Sequence, residues 1–100
     1  MNDPVINALE TKDPEKFTTK TLNMRGIPKW EFERYLAKKA RTITGDSYEG
    51  DGWQVSLSAE RKESLGQFSL VAVDVTIAVE KHQFDEFLQT FRKNFLRGGG

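Results

Sequence analysis

The stretch Leu65-Gly66-Gln67-Phe68-Ser69-Leu70-Val71-Ala72-Val73-Asp74-Val75-Thr76-Ile77-Ala78-Val79 decides the fold class of this chain. Val71, Val73, Val75, Ile77 and Val79 fall on one side of an extended backbone, and Leu70, Ala72, Asp74, Thr76 and Ala78 on the other. That two-residue period, carried by β-branched side chains, belongs to a strand with one fully apolar face. Fifteen residues is longer than the usual strand of roughly 3 to 10. A bulge or bend is therefore expected near Ser69 or Leu70, where the alternation changes phase.

Working outward, Trp53, Val55, Leu57 and Ala59 alternate with Gln54, Ser56, Ser58 and Glu60. This is a second half-buried strand, and Glu60 to Ser64 reads as the polar tip of the hairpin joining the two. Downstream, Phe84, Phe87, Leu88, Phe91 and Phe95 repeat at helical spacing and predict an amphipathic helix from about Lys81 to Leu96. Arg92, Lys93 and Arg97 lie near its end, as the helix dipole favours, and Gly98 supplies a stop. Upstream, Thr44 to Gly52 is rich in Gly, Asp and Ser and reads as a loop. Pro28 opens a predicted helix to Thr42 whose apolar face holds Phe32, Tyr35, Leu36, Ala40 and Ile43. Phe17 to Met24, with three threonines, reads as an edge strand.

The expected order is strand, helix, strand, strand, helix. The long apolar strand belongs in the centre, because an exposed edge of that kind invites pairing with other chains. The expectation is an α+β two-layer sandwich: an antiparallel β-α-β-β-α sheet, ferredoxin-like without its last strand, with both helices on one face. Residues 1–16 read as an N-terminal extension whose apolar island is Val5, Ile6, Ala8 and Leu9, residues 17–97 as one domain, and residues 98–100 as a flexible glycine tail. In this layout the Phe17 to Met24 edge is open to the island, to a second copy of the chain or to another protein.

Composition narrows the function. The 100 residues contain no cysteine, which removes disulfides, thiolate nucleophiles and Cys-ligated metals. Fifteen basic residues balance fifteen acidic ones, so no net field draws the chain to a polyanion or a membrane surface. The first dozen residues lack a basic start followed by an apolar run, and no stretch approaches the ~20 apolar residues of a membrane span. A cytoplasmic location is the resulting expectation.

No residue pattern assembles a catalytic or metal site. His82 is the single histidine, and it reads as a solvated residue at a strand-to-helix junction. Asp46, Glu49 and Asp51 share a loop but do not match the ligand spacing of a calcium loop. Arg25, Lys29, Arg34, Lys38 and Arg41 interleave with Trp30 and Tyr35, which is the composition of a nucleic-acid surface and equally that of a solvated helix face. The tail Leu96-Arg97-Gly98-Gly99-Gly100 resembles the diglycine ends of ubiquitin-like proteins and sulfur carriers, although here a helix, not a strand, leads into it.

From Gly26-Ile27-Pro28-Lys29-Trp30, through the hairpin, to Phe91-Arg92-Lys93-Asn94-Phe95-Leu96, the layout resembles a small α+β domain attached to some MoaD-related proteins. Those proteins are relatives of the sulfur-carrier subunit of molybdopterin synthase. The likeness spans about residues 17 to 97 and implies an accessory role beside cofactor biosynthesis, with no functional residue carried over. The sequence thus reads first as a non-catalytic module for protein interaction or self-association through the Phe17 to Met24 edge, with no cofactor. The alternatives are a nucleic-acid binder using the basic first helix and an accessory of a sulfur-carrier system.

Overall fold

The computed structural model describes residue 13 and residues 15–95. Eight elements follow one another: β1 (Phe17–Arg25), α1 (Lys29–Lys39), β2 (Thr42–Thr44), β3 (Ser47–Gly50), β4 (Trp53–Leu57), β5 (Arg61–Leu65), β6 (Phe68–Glu80) and α2 (Lys81–Phe95). The chain is therefore α+β. Its antiparallel sheet has six strands, where the sequence suggested three, in the order β1-β6-β4-β3-β2, with β5 also paired to β6.

The long strand is central, as its apolar character demands. Along one edge β6 pairs with β1 from Phe17↔Glu80 to Arg25↔Ala72. Along the other it pairs first with β5, from Leu65↔Phe68 to Arg61↔Ala72, and then with β4, from Leu57↔Val75 to Trp53↔Val79. Between those two ladders Ser58, Ala59 and Glu60 face only Val73 and Asp74, so the bulge sits on the partner strand and not in β6 near Ser69. Ser58 closes the gap: its N–H donates to the Asp74 carbonyl at 2.9 Å, and its Oγ accepts from the Asp74 N–H at 2.9 Å. The polar segment read as a hairpin tip is thus a strand, β5, and the tip moves to Gly66-Gln67.

Two further strands appear: β3 lies in the stretch read as a loop, and β2 joins Thr44 to Thr42 and Ile43, both read with the first helix, so Ile43 is exposed on a strand and not on the apolar face of α1. Their connection, Gly45-Asp46, places glycine first in a two-residue turn, as does Gly66-Gln67, with φ of 57° and 64° respectively. A side chain at that φ is strained, whereas the turn joins right-twisted strands well. At Gly50 the reason for glycine is different. It pairs with Trp53, and a Cβ there would land inside the indole ring, so the bare backbone is the seat of the Trp53 side chain.

The core forms from the inward set of β6 (Val73, Val75, Ile77, Val79), with Leu22 of β1, Tyr48 of β3 and Trp53, Val55 and Leu57 of β4. Phe32 and Leu36 of α1 and Phe91 and Phe95 of α2 belong to the same cluster. Phe91 and Phe95 stand 4.9 Å apart, and Phe32 meets Phe95 at 4.7 Å, within the range of favourable ring pairs. The aromatic stripe of α2 is thus largely consumed by packing, with Phe84, Phe87 and Leu88 partly buried against the cluster. The opposite side of the sheet carries Thr21, Asn23, Ser56, Asp74 and Thr76 around the buried Ala72 and Ala78.

Helix α1 starts at Pro28, which sits at its N-cap in an extended conformation. Having no side-chain cap of its own, the helix takes one from the bulge: the Lys29 N–H donates to Glu60 Oε1 at 2.8 Å. A carboxylate at a helix N-terminus offsets an orphan donor and the positive dipole end. The helix ends at Lys39, earlier than the Thr42 expected from sequence, because Arg41 already bonds β3 through Glu49. Helix α2 spans Lys81–Phe95, within a residue of the sequence expectation. Among the described residues no helix is long and apolar enough to cross a membrane. The Val5 to Leu9 island and the glycine tail lie outside the described residues.

Candidate functional site

The first candidate is the outer edge of β1. Gly26 donates to the Val71 carbonyl, and Lys81 donates to the Lys16 carbonyl, in the same register that pairs Phe17 with Glu80. In an antiparallel ladder, bonded and non-bonded pairs alternate, so Thr18, Lys20, Leu22 and Met24 spend their backbone groups on β6. The N–H and C=O groups of Thr19, Thr21 and Asn23 accordingly point away from the sheet. Among the described residues no strand pairs with that edge. The nine-residue strand has no proline and no bulge, and its protection consists of the exposed Lys20.

The side chains of Thr21, Asn23 and Arg25 lie on the polar sheet face, within a connected network. Thr21 and Thr76 hydroxyls are 3.0 Å apart, and Asn23 Nδ2 donates to Asp74 Oδ1 at 2.9 Å. Arg61 bridges Asp74 and Glu63, and Arg25 Nε donates to Glu63 Oε1 at 2.8 Å. The Asn23 and Arg61 hydrogen bonds hold the Asp74 carboxyl below its ordinary range, while Asp74 and Glu63 hold the Arg61 guanidinium more firmly protonated. Further along, Gln54 is buried and donates to Ser47 Oγ at 2.9 Å, and its Oε1 has no partner among the described residues. At the β5–β6 tip, Leu65 and Phe68 form an exposed cross-strand pair, Phe68 being 74% exposed.

The five basic residues marked in the sequence separate into two groups. Arg25 pairs with Glu63, Lys29 Nζ sits 3.0 Å from Asp46 Oδ1, and Arg41 pairs with Asp51. Arg34 and Lys38 instead line a surface groove of about 240 Å³ together with Trp30, Tyr35, Asn94 and Phe95. Trp30 is 56% exposed. Sequence periodicity alone left Trp30 unassigned, and the signal that identifies it is the four-residue step Trp30, Arg34, Lys38, one stripe along α1.

The acidic trio does not converge: Asp46 and Asp51 are each engaged by a different cation, and Glu49 lies in β3 opposite Gln54. Among the described residues no three His, Asp or Glu side chains come within reach of a common metal ion. His82 is exposed, with Nε2 3.6 Å from Glu80 Oε1. A second groove between the helices, of about 390 Å³, is lined by Tyr35, Lys39, Gln83, Glu86, Phe87 and Thr90. Burial raises the Tyr35 phenol above its ordinary pKa, and its hydroxyl meets Asn94 Nδ2 only at 3.5 Å.

Comparison with curated proteins and with solved structures gives no match. A family model does match, over residues 20–100, and its description is archaeal MoaD-like protein. The matched span covers β1 from its fourth residue, every later element and the glycine tail, so the chain belongs to the archaeal MoaD-like protein family.

Proposed function

We propose that this chain is a protein-interaction module that serves a sulfur-carrier system and docks through the outer edge of β1. The observation that carries the docking surface is the row of outward backbone groups at Thr19, Thr21 and Asn23, on a bulge-free strand that is the sheet's edge among the described residues. Such a row is a template for strand addition. Family membership supports the choice of system, because MoaD-related proteins are sulfur carriers or their relatives.

The simplest occupant is a second copy. Pairing two β1 strands antiparallel about a two-fold axis at Thr21 places Thr19 opposite the partner's Asn23 and leaves the two central threonines facing each other. Lys20 then stands opposite Leu22, so no like charges meet. This register extends two six-stranded sheets into one and leaves the helices outside the contact.

Light scattering across a concentration series tests the proposal. The expected result is a dimer that dissociates on dilution, and a Thr19→Pro variant that stays monomeric with an unchanged circular dichroism spectrum. Proline at that position removes an outward donor and no ladder bond to β6. A wild-type monomer at every concentration, or a Thr19→Pro dimer of equal affinity, counts against docking through β1 between copies.

A second reading rests on the family match reaching Gly100. The Gly98-Gly99-Gly100 end then serves as the carrier terminus itself, and intact mass after incubation with an activating enzyme, ATP and sulfide would show sulfur replacing one carboxylate oxygen. An unchanged mass removes this reading and leaves the docking role in place.

A further inference from the structure

We propose that the Trp30, Arg34 and Lys38 stripe of α1 is a binding surface for single-stranded nucleic acid, separate from the β1 edge. Three observations converge on it. The first is electrostatic. Of the six basic residues from Arg25 to Arg41, Arg25, Lys29 and Arg41 are held by Glu63, Asp46 and Asp51, and Lys39 stands over the Tyr35 ring, while among the described residues Arg34 and Lys38 have no ion-pair partner. An unpaired cation can meet a phosphate without first breaking a salt bridge. The second is the aromatic. Trp30 is 56% exposed although the core has room for Trp53, Tyr48, Phe32, Phe91 and Phe95, and an indole left in water presents a stacking face. The third is spacing. Successive members of the stripe stand four residues apart, about 6 Å along the helix axis, so a base on Trp30 leaves the following backbone running past Arg34 and then Lys38.

The groove floor fits the same ligand. Tyr35 and Phe95 give it an apolar base, and Asn94, whose Nδ2 donates to the Thr90 carbonyl at 2.8 Å, adds an amide oxygen able to accept from a base edge. The one acidic residue on the described rim is Glu31. A duplex is disfavoured because its bases are stacked on one another and unavailable to Trp30, and an acidic peptide is disfavoured because it makes no use of the exposed indole. Charge complementarity without net positive charge makes the contact weak and salt-sensitive.

The test is fluorescence anisotropy of a labelled twelve-nucleotide oligo-dT against the full chain at 50 mM NaCl, with the matching duplex and poly-glutamate as competitors. Binding is expected, with quenching of the exposed Trp30 and little change from Trp53, which is buried. Trp30→Ala should weaken it by about 5- to 140-fold, the range of one lost base stack. Arg34→Ala with Lys38→Ala should flatten the dependence of log K on log salt by about 1.4, or ~0.7 for each phosphate contact. Arg25→Ala and Arg41→Ala serve as controls and should stay within about twofold of wild type. The proposal is overturned by any one of four results: no binding at 50 mM NaCl, equal affinity for the duplex, full competition by poly-glutamate, or a Trp30→Ala variant that binds as wild type does.

Discussion

Removing the Phe91 side chain should expose how much of the fold rests on the α2 stripe. Phe91 is fully buried, and its ring lies 4.9 Å from Phe95, 5.8 Å from Tyr35 and 6.1 Å from Phe32. Phe91→Ala forfeits about 2 kcal/mol of transfer free energy, and an unrelaxed cavity of ~80 Å³ adds about 2 kcal/mol more. The sum, about 4 kcal/mol, lies inside the usual range of ~3 to 5 kcal/mol for such truncations. It is a large share of the ~5 to 15 kcal/mol that stabilises an ordinary domain, and corresponds to a fall in Tm on the order of 20 °C. Urea unfolding followed by the fluorescence of buried Trp53, whose ring packs 5.4 Å from Phe87, reads the change directly. Phe87→Ala provides the scale, because Phe87 is only partly buried and should cost roughly half as much. A loss below about 1 kcal/mol for Phe91→Ala, or a larger loss for Phe87→Ala, would refute the placement of the stripe in the core.

Other consequences follow from single residues. Gly50→Ala puts a methyl group into the Trp53 indole and should destabilise the fold by about 1 to 3 kcal/mol, with a red-shifted Trp53 emission as the ring is displaced. Asp74 has its folded pKa depressed by Asn23 and Arg61, so its contribution to stability is present above the unfolded carboxylate pKa and is lost as pH falls through the folded value. Acid unfolding of Asp74→Asn should accordingly show a shallower loss of stability below about pH 4 than wild type does. Tyr48 has its pKa raised by burial and by the nearby Glu33 and Asp46 carboxylates, so its contribution is intact below the unfolded phenol pKa and is lost as pH rises through the folded one. In a spectrophotometric titration Tyr48 should ionise together with alkaline unfolding, and ionisation in the intact fold at the ordinary phenol pKa contradicts its buried position.

How much of this was legible before the structure depends on which physical signal each segment carries. The central strand, β4 and both helices are written in hydrophobic periodicity, because each buries one face and the pattern records that face, whereas β1 was legible from its threonines. The strands β2, β3 and β5 were not legible in the same way. Thr42–Thr44 is exposed throughout, and in Arg61–Leu65 the residues Arg61 and Glu63 face the side of Asp74 while Lys62 and Ser64, on the other face, are exposed, so neither strand shows an apolar face. Their signal was in the turns instead: Gly45-Asp46 and Gly66-Gln67 are hairpin turns by residue order, and they define the strands on either side. The bulge was misplaced because the phase change was sought in β6, whereas the extra residue was inserted in the partner segment around Ser58.

Site reasoning divided similarly. Sequence identified the five basic residues as a set, but ion pairing depends on acids far away in the chain, and Glu63, Asp46 and Asp51 become neighbours only through the sheet. The open edge at Phe17 to Met24 followed from counting strands, and its outward residues followed only once the register with β6 was fixed. The family likeness read from layout covered about residues 17 to 97, and the matched family model extends through the glycine tail to residue 100.

Amide hydrogen exchange, measured residue by residue at two protein concentrations, addresses the role of the β1 edge most directly. Strand addition predicts that the Thr19, Thr21 and Asn23 amides exchange rapidly in dilute solution and become protected when the chain is concentrated, while Lys20 and Leu22, bonded to β6, are protected in both. Rapid exchange at Thr19, Thr21 and Asn23 at every concentration, with and without added partner proteins of the sulfur-carrier system, would contradict it.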